Sequence, residues 1–156
     1  MLDVIMENGI CTECGAKEAD GLSCRDQFGN LLAWEQYNSE LRDLHFWNVS
    51  CYMLQHPSNF TKEGYELTKK LFCDAYDHNW GTSYILKKNR EMTTNKTFKI
   101  VNPVPFAERV RVLTTWDLTV HDVYAAGEKN AVENVLRWRK VIREAFLRKP
   151  PQSSNL

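Results

Sequence analysis

The stretch from Leu41 to Pro57 constrains this chain more than any other. It reads Leu-Arg-Asp-Leu-His-Phe-Trp-Asn-Val-Ser-Cys-Tyr-Met-Leu-Gln-His-Pro. Its apolar spacing predicts a helix from about Glu40 to Gln55, with Asn38-Ser39 as break and N-cap. Pro57 must stop that helix, because the residue before a proline avoids helical geometry. Offsets of about seven and eleven residues are close to two and three helical turns, so His45, Tyr52 and His56 are expected on nearly one face. Leu44, Val49 and Leu54 surround them. Two imidazoles and a phenol in that setting are not what core packing alone selects.

A cysteine cluster upstream gives the histidines a use. Residues 11–24 read Cys-Thr-Glu-Cys-Gly-Ala-Lys-Glu-Ala-Asp-Gly-Leu-Ser-Cys. Cys-x-x-Cys-Gly is the usual shape of a zinc knuckle: the turn brings two thiolates to one ion, and the glycine permits the bend that exposes amides to sulfur. Cys24, beyond a loop containing Gly21, is the natural third ligand. A closed structural zinc site takes four ligands, and His45, Cys51 and His56 are the candidates for the last. A first helix over residues 28–37 would be ~15 Å long, letting the cysteine loop fold back onto the start of the second helix. That geometry favours His45, since His56 lies ~16 Å further along. The metal set expected from spacing is therefore Cys11, Cys14, Cys24 and His45. A thioredoxin-like redox pair would need a strand before the motif and a helix directly after it.

The rest of the chain reads as helix with one irregular stretch. Thr61 caps a helix from about Lys62 to His78, with Tyr65, Thr68, Leu71, Phe72, Ala75 and Tyr76 along its apolar side and Cys73 as a buried thiol beside them. A short basic helix is expected near 84–92. Pro103 and Pro105 exclude a helix over 93–106, where Phe98, Ile100 and Val104 alternate as in an extended segment or a short hairpin. Thr119 and Asp122 form a capping-box variant ahead of a short helix that stops at Gly127. A last helix over about 129–148 buries Val132, Val135, Leu136, Val141, Ile142, Ala145 and Phe146. The predicted fold is mainly α: a single-domain helical bundle over residues 1–149, a zinc-knuckle-like loop at 11–24, a lead-in at 1–10 and a frayed tail at 150–156. Leu32, Val49, Leu71, Phe72, Val135 and Ile142 are the predicted core.

Charge and composition narrow the function. The 156 residues carry 20 Lys plus Arg against 20 Asp plus Glu, so no overall basic field argues for nucleic acid, and Glu13, Glu18 and Asp20 in the cysteine loop would repel phosphate. No apolar run approaches the ~20 residues needed to span a bilayer. The N-terminus lacks the basic region and apolar core of a signal peptide. Five cysteines without a secretion signal read as metal chemistry in the cytoplasm, not as a disulfide framework.

Cys-x-x-Cys-Gly, a third cysteine followed by an aromatic residue and Leu-Leu-Ala-x-Glu, then His-x-x-x-Val-x-x-Tyr-x-Leu-Gln-His-Pro and Thr-Val-x-Asp-Val, together resemble the DUF5946 family of small uncharacterised bacterial proteins. The likeness runs from Cys11 to about the end of the last helix, and Tyr52-Met53-Leu54-Gln55-His56-Pro57 is its most specific piece. The resemblance implies Cys11, Cys14, Cys24, His45 and His56 as the functional set and weakens the case for Cys51. It brings no established activity. Two functions stand open. The first is a binding or regulatory module with a structural zinc site and a protein or small-molecule partner. The second is a metal-dependent, hydrolase-like enzyme using His45, His56 and His121, with Asp43 or Asp122 beside them, in a pocket of the bundle.

Overall fold

A computed structural model describes residues 4–94 and 97–148, and it is mainly helical. The expected lead-in contains a hairpin, β1 (Met6–Glu7) and β2 (Ile10–Cys11), paired antiparallel with Met6 opposite Cys11. Its turn is Asn8-Gly9, both with positive φ (52° and 74°), the pair that suits a two-residue hairpin. Cys11 thereby enters the site from the end of a strand.

Helix α1 spans Cys24–Trp34, starting earlier than the hydrophobic pattern alone indicates. Ser23 and Asp26 explain the early start. The Ser23 hydroxyl accepts from the Asp26 amide, and the Asp26 carboxylate accepts from the Ser23 amide, each at 3.2 Å. This reciprocal capping box satisfies two helix-terminal amides and places Cys24 at the first helical residue.

The expected helix over 40–55 is two pieces, α2 (Ser39–Arg42) and α3 (His45–Leu54), with the break at Asp43 and Leu44. Asn38 caps α2 through its side chain, which accepts from the Leu41 amide at 3.1 Å. Beyond α3 a 3-10 turn spans Pro57–Asn59. Next come α4 (Lys62–Asp77), capped by Thr61, and α5 (Thr82–Thr93). After residues 97–116, α6 (Val120–Ala125) and α7 (Ala131–Leu147) complete the fold. The capping box at Thr119 forms as expected, with the Thr119 amide donating to Asp122 at 2.8 Å.

Helix α3 is central: α1, α4 and α7 all pack on it, α6 bridges α1 and α7, and α5 lies on α4. Leu71, Phe72, Val135 and Ile142 are buried as predicted, whereas Leu32 and Val49 sit half-buried at the edge. Trp138, Leu31, Leu41 and Leu54 fill the middle. Two contacts fix the relation of α1 to α3. Phe28, near the start of α1, stacks on Tyr52, near the end of α3, while Glu35, just past α1, reaches His45 at the start of α3. The two helices therefore run antiparallel.

Residues 97–116 cross the surface with only a 3-10 turn at Phe106–Glu108. The hairpin considered for 93–106 does not form among the described residues. This segment pairs instead with the chain after α3: Phe60 bridges Val101, the Thr61 amide donates to Ile100 O at 2.9 Å, and the Asn102 amide donates to Asn59 O at 3.0 Å. Gly64, in the first turn of α4, lies so close to this segment that a Cβ would collide with the Ile100 backbone. No described helix is long and apolar enough to cross a membrane. The tail expected at 150–156 lies outside the described residues.

Candidate metal centre

Three segments converge on one buried point. The knuckle supplies Cys11 and Cys14, the first turn of α1 supplies Cys24, and the residue following Gln55 at the end of α3 supplies His56. Their ligand atoms all lie within 4.8 Å of one another. All four residues are buried, at 1%, 1%, 0% and 0% exposure. His56 Nε2 stands 3.5 Å from the Cys24 sulfur and 3.7 Å from the Cys11 sulfur.

The knuckle folds as its sequence requires. The Gly15 amide donates to Cys11 O at 3.0 Å, and Gly15 takes a positive φ of 78° that side chains disfavour. The turn then aims the Ala16 amide at the Cys14 sulfur, at 3.4 Å. Glu13, inside the motif, is buried and pins the loop to the chain just beyond His56: its carboxylate accepts from the Ser58 amide at 2.7 Å and the Ser58 hydroxyl at 2.8 Å. The Glu13 carbonyl accepts from the Thr114 amide at 3.0 Å, so the crossing segment is fastened to the same loop.

The tautomer of His56 follows from its second partner. Nδ1 lies 2.7 Å from the Tyr52 carbonyl oxygen, which can only accept. Nδ1 therefore carries a proton, and Nε2 faces the sulfurs, where it would offer its lone pair to a metal. Tyr52 is fully buried, stacked on Phe28 at 4.1 Å and against His56 at 4.2 Å, with its hydroxyl 3.7 Å from the Cys24 sulfur. Burial, reinforced by the cysteines, pushes the Tyr52 hydroxyl well above its ordinary range, so it keeps its proton.

Three sulfurs and an imidazole this close shift one another's protonation. In the metal-free cluster burial opposes charge on His56, yet hydrogen bonds that its protonated ring donates to Cys11 and Cys24 outweigh that and bring its pKa up to about 10. Hydrogen bonds from Cys14 and Cys24 hold the Cys11 thiol far below its usual value, and the same contact with Cys11 pushes Cys14 up. Without a metal, protons have to do the work of positive charge among three sulfurs; one divalent ion replaces them. The donor set thus fits a metal, with Cys11, Cys14, Cys24 and His56 as the residues that would hold it.

His45, expected as the fourth ligand, is not in this cluster. Its side chain is 59% exposed, and its Nδ1 lies 2.7 Å from Glu35 Oε1, while Glu35 Oε2 accepts from Asn48 at 2.9 Å. The cause is the direction of α1. Because α1 starts at Cys24 and runs antiparallel to α3, the cysteines meet the end of α3 and its far end meets His45. The single histidine face fails for a related reason: His56 lies past the helix, with φ −128° and ψ 66°. Cys51 is buried within α3 and outside the cluster, its thiol pushed up by burial against a smaller opposing effect of Arg139. His121 and Asp43 are also outside it, and Asp122 serves the cap of α6. His78 ends α4, with Nδ1 2.9 Å from Asp74 O.

Spacing placed Tyr52 with the histidines but did not single it out as a partner of Cys24, and it did not single out Glu13 at all. Their signals were present, an acid inside Cys-x-x-Cys and a tyrosine one turn before His56. No curated protein and no solved structure matches this chain. With residues 9–147 matching the family of unknown function DUF5946, nearly all of the described fold and all four clustered residues included, the chain belongs to that family.

Proposed function

We propose that this protein is a zinc-binding helical module whose metal site is structural. The observation that carries the reading is the closed cluster of Cys11, Cys14, Cys24 and His56, with every donor buried. Bonds of ~2.3 Å to sulfur and ~2.0–2.1 Å to nitrogen at tetrahedral angles put S and N about 3.5 Å apart. The separations of 3.5 and 3.7 Å agree with that edge. Three thiolates and one imidazole suit zinc, and four protein donors leave no open position for substrate or water. Function then resides in a surface that the metal holds in shape, with a protein or small molecule as partner and the cytoplasm, where thiols stay reduced, as the compartment.

The enzyme reading needs His45 and His56 in one pocket. They stand in separate clusters, one with Glu35 and Asn48 and the other with three sulfurs. Elemental analysis of wild type and variants tests the module. Wild type should carry about one zinc per chain, the content of a single tetrahedral site. Cys24→Ser and His56→Ala should lose zinc and melt at lower temperature, because metal binding to a folded site is also folding free energy. His45→Ala should keep its zinc. Zinc-free wild type, or zinc lost only in His45→Ala, refutes this assignment.

A further inference from the structure

We infer that Tyr52 is a positioning residue of the metal centre, donating its phenolic hydrogen to the Cys24 sulfur and thereby fixing that sulfur's direction and favouring its thiolate form. The inference rests on the metal reading above and adds a role for a residue that is not a ligand.

Three observations carry it. The Tyr52 hydroxyl lies 3.7 Å from the Cys24 sulfur, within hydrogen-bonding reach of sulfur, and both residues are fully buried, so water does not compete. A metal-bound thiolate has no proton to give, so the phenol must be the donor. The ring is clamped between Phe28, nearly parallel at 2°, and His56, which limits the hydroxyl to one direction. Tyr52 also accepts from His56 Nδ1 through its carbonyl. One residue therefore holds two ligands that come from different segments, Cys24 on α1 and His56 beyond α3. The backbone half of this grip survives any substitution; the hydroxyl half is chemically specific and can be removed alone.

A hydrogen bond to a bound thiolate draws electron density off sulfur and tunes the metal it serves. In cobalt-substituted protein this is read from the sulfur-to-cobalt charge-transfer band. Tyr52→Phe keeps the stacked ring and deletes only the hydroxyl. The expected result is one cobalt per chain with the band moved to longer wavelength, and zinc affinity lowered roughly 10-fold or more, as for other outer-shell partners. A second measurement covers a variant that fails to fold. Wild-type protein made with 3-fluorotyrosine, whose hydroxyl is a stronger donor, should move the same band to shorter wavelength. Bands unmoved by the fluorinated tyrosine, or by Tyr52→Phe where it folds and loads fully, overturn the role of Tyr52 while leaving the metal site standing. Wild-type protein that takes up neither cobalt nor zinc overturns the site itself, and Tyr52's role with it.

Discussion

Glu13 shows how much a single side chain can fasten. Its carboxylate accepts twice from Ser58, and its carbonyl accepts from Thr114. Glu13→Ala leaves a Ser58 amide without its partner, and a lost buried hydrogen bond of this kind costs about 1–3 kcal/mol. Chemical denaturation of metal-loaded protein should show that loss, with zinc still bound because no ligand has changed. The residue scale is also where sequence reasoning was most uneven. Cys11, Cys14 and Cys24 were legible, because a Cys-x-x-Cys-Gly turn and a nearby third sulfur are local. The choice between His45 and His56 was not local. It depended on which end of α3 faces the start of α1, which no spacing within either segment encodes.

At the scale of elements, two glycines should respond in opposite directions. Gly29 lies in α1 with open space where a Cβ would go, so Gly29→Ala should stabilise by roughly 0.4–1 kcal/mol. Gly64 meets the Ile100 backbone, so Gly64→Ala should destabilise despite alanine's helix propensity. Melting temperatures of the pair, measured side by side, check both signs. Ile142, fully buried on α7, should cost ~2–5 kcal/mol when cut to alanine. Helices α4 and α7 are also joined by Arg143, which donates to both oxygens of Asp77 at 2.8 and 2.7 Å. That pairing holds the Asp77 carboxyl below its usual value. A depressed carboxylate stabilises the fold above its unfolded pKa and loses that contribution as pH falls through the folded one. Asp77 is 44% exposed, so Asp77→Asn should cost no more than about 1 kcal/mol at neutral pH. The difference from wild type should vanish below the depressed value, as acid titration of stability will show. Most elements were readable from apolar period and caps. The early start of α1 and the hairpin were missed, although Ser23 with Asp26 and Asn8-Gly9 carry their local signals. The break at Asp43 and Leu44 carries no glycine or proline to announce it.

For the whole molecule, the cluster of three cysteines and one histidine joins parts that are far apart in sequence. The hairpin and knuckle, the start of α1, the chain after α3 and the crossing segment at 97–116 meet there through Glu13, Ser58, Thr114 and the four clustered residues. The opposite end of the fold relies on its own packing, with Trp47 edge-on to Phe72 and Phe72 edge-on to Phe146. Chelation should therefore raise amide exchange first in residues 5–24 and 97–116, with the amides of α4 and α7 protected longer. Hydrogen exchange followed by mass spectrometry distinguishes this from uniform loosening, which would place the metal outside the architecture.

The uneven spacing of the four donors has a kinetic consequence. Three of them fall within residues 11–24, whereas His56 follows Cys24 by 32 positions. A chain made from its N-terminus presents three thiolates long before the imidazole emerges. On the zinc reading proposed above, an ion captured at that stage would be held by three donors and open to exchange, and the closing of α1 against α3 would complete its shell. Metal selection and metal retention would then be separated in time, the first belonging to the cysteine loop and the second to the finished fold.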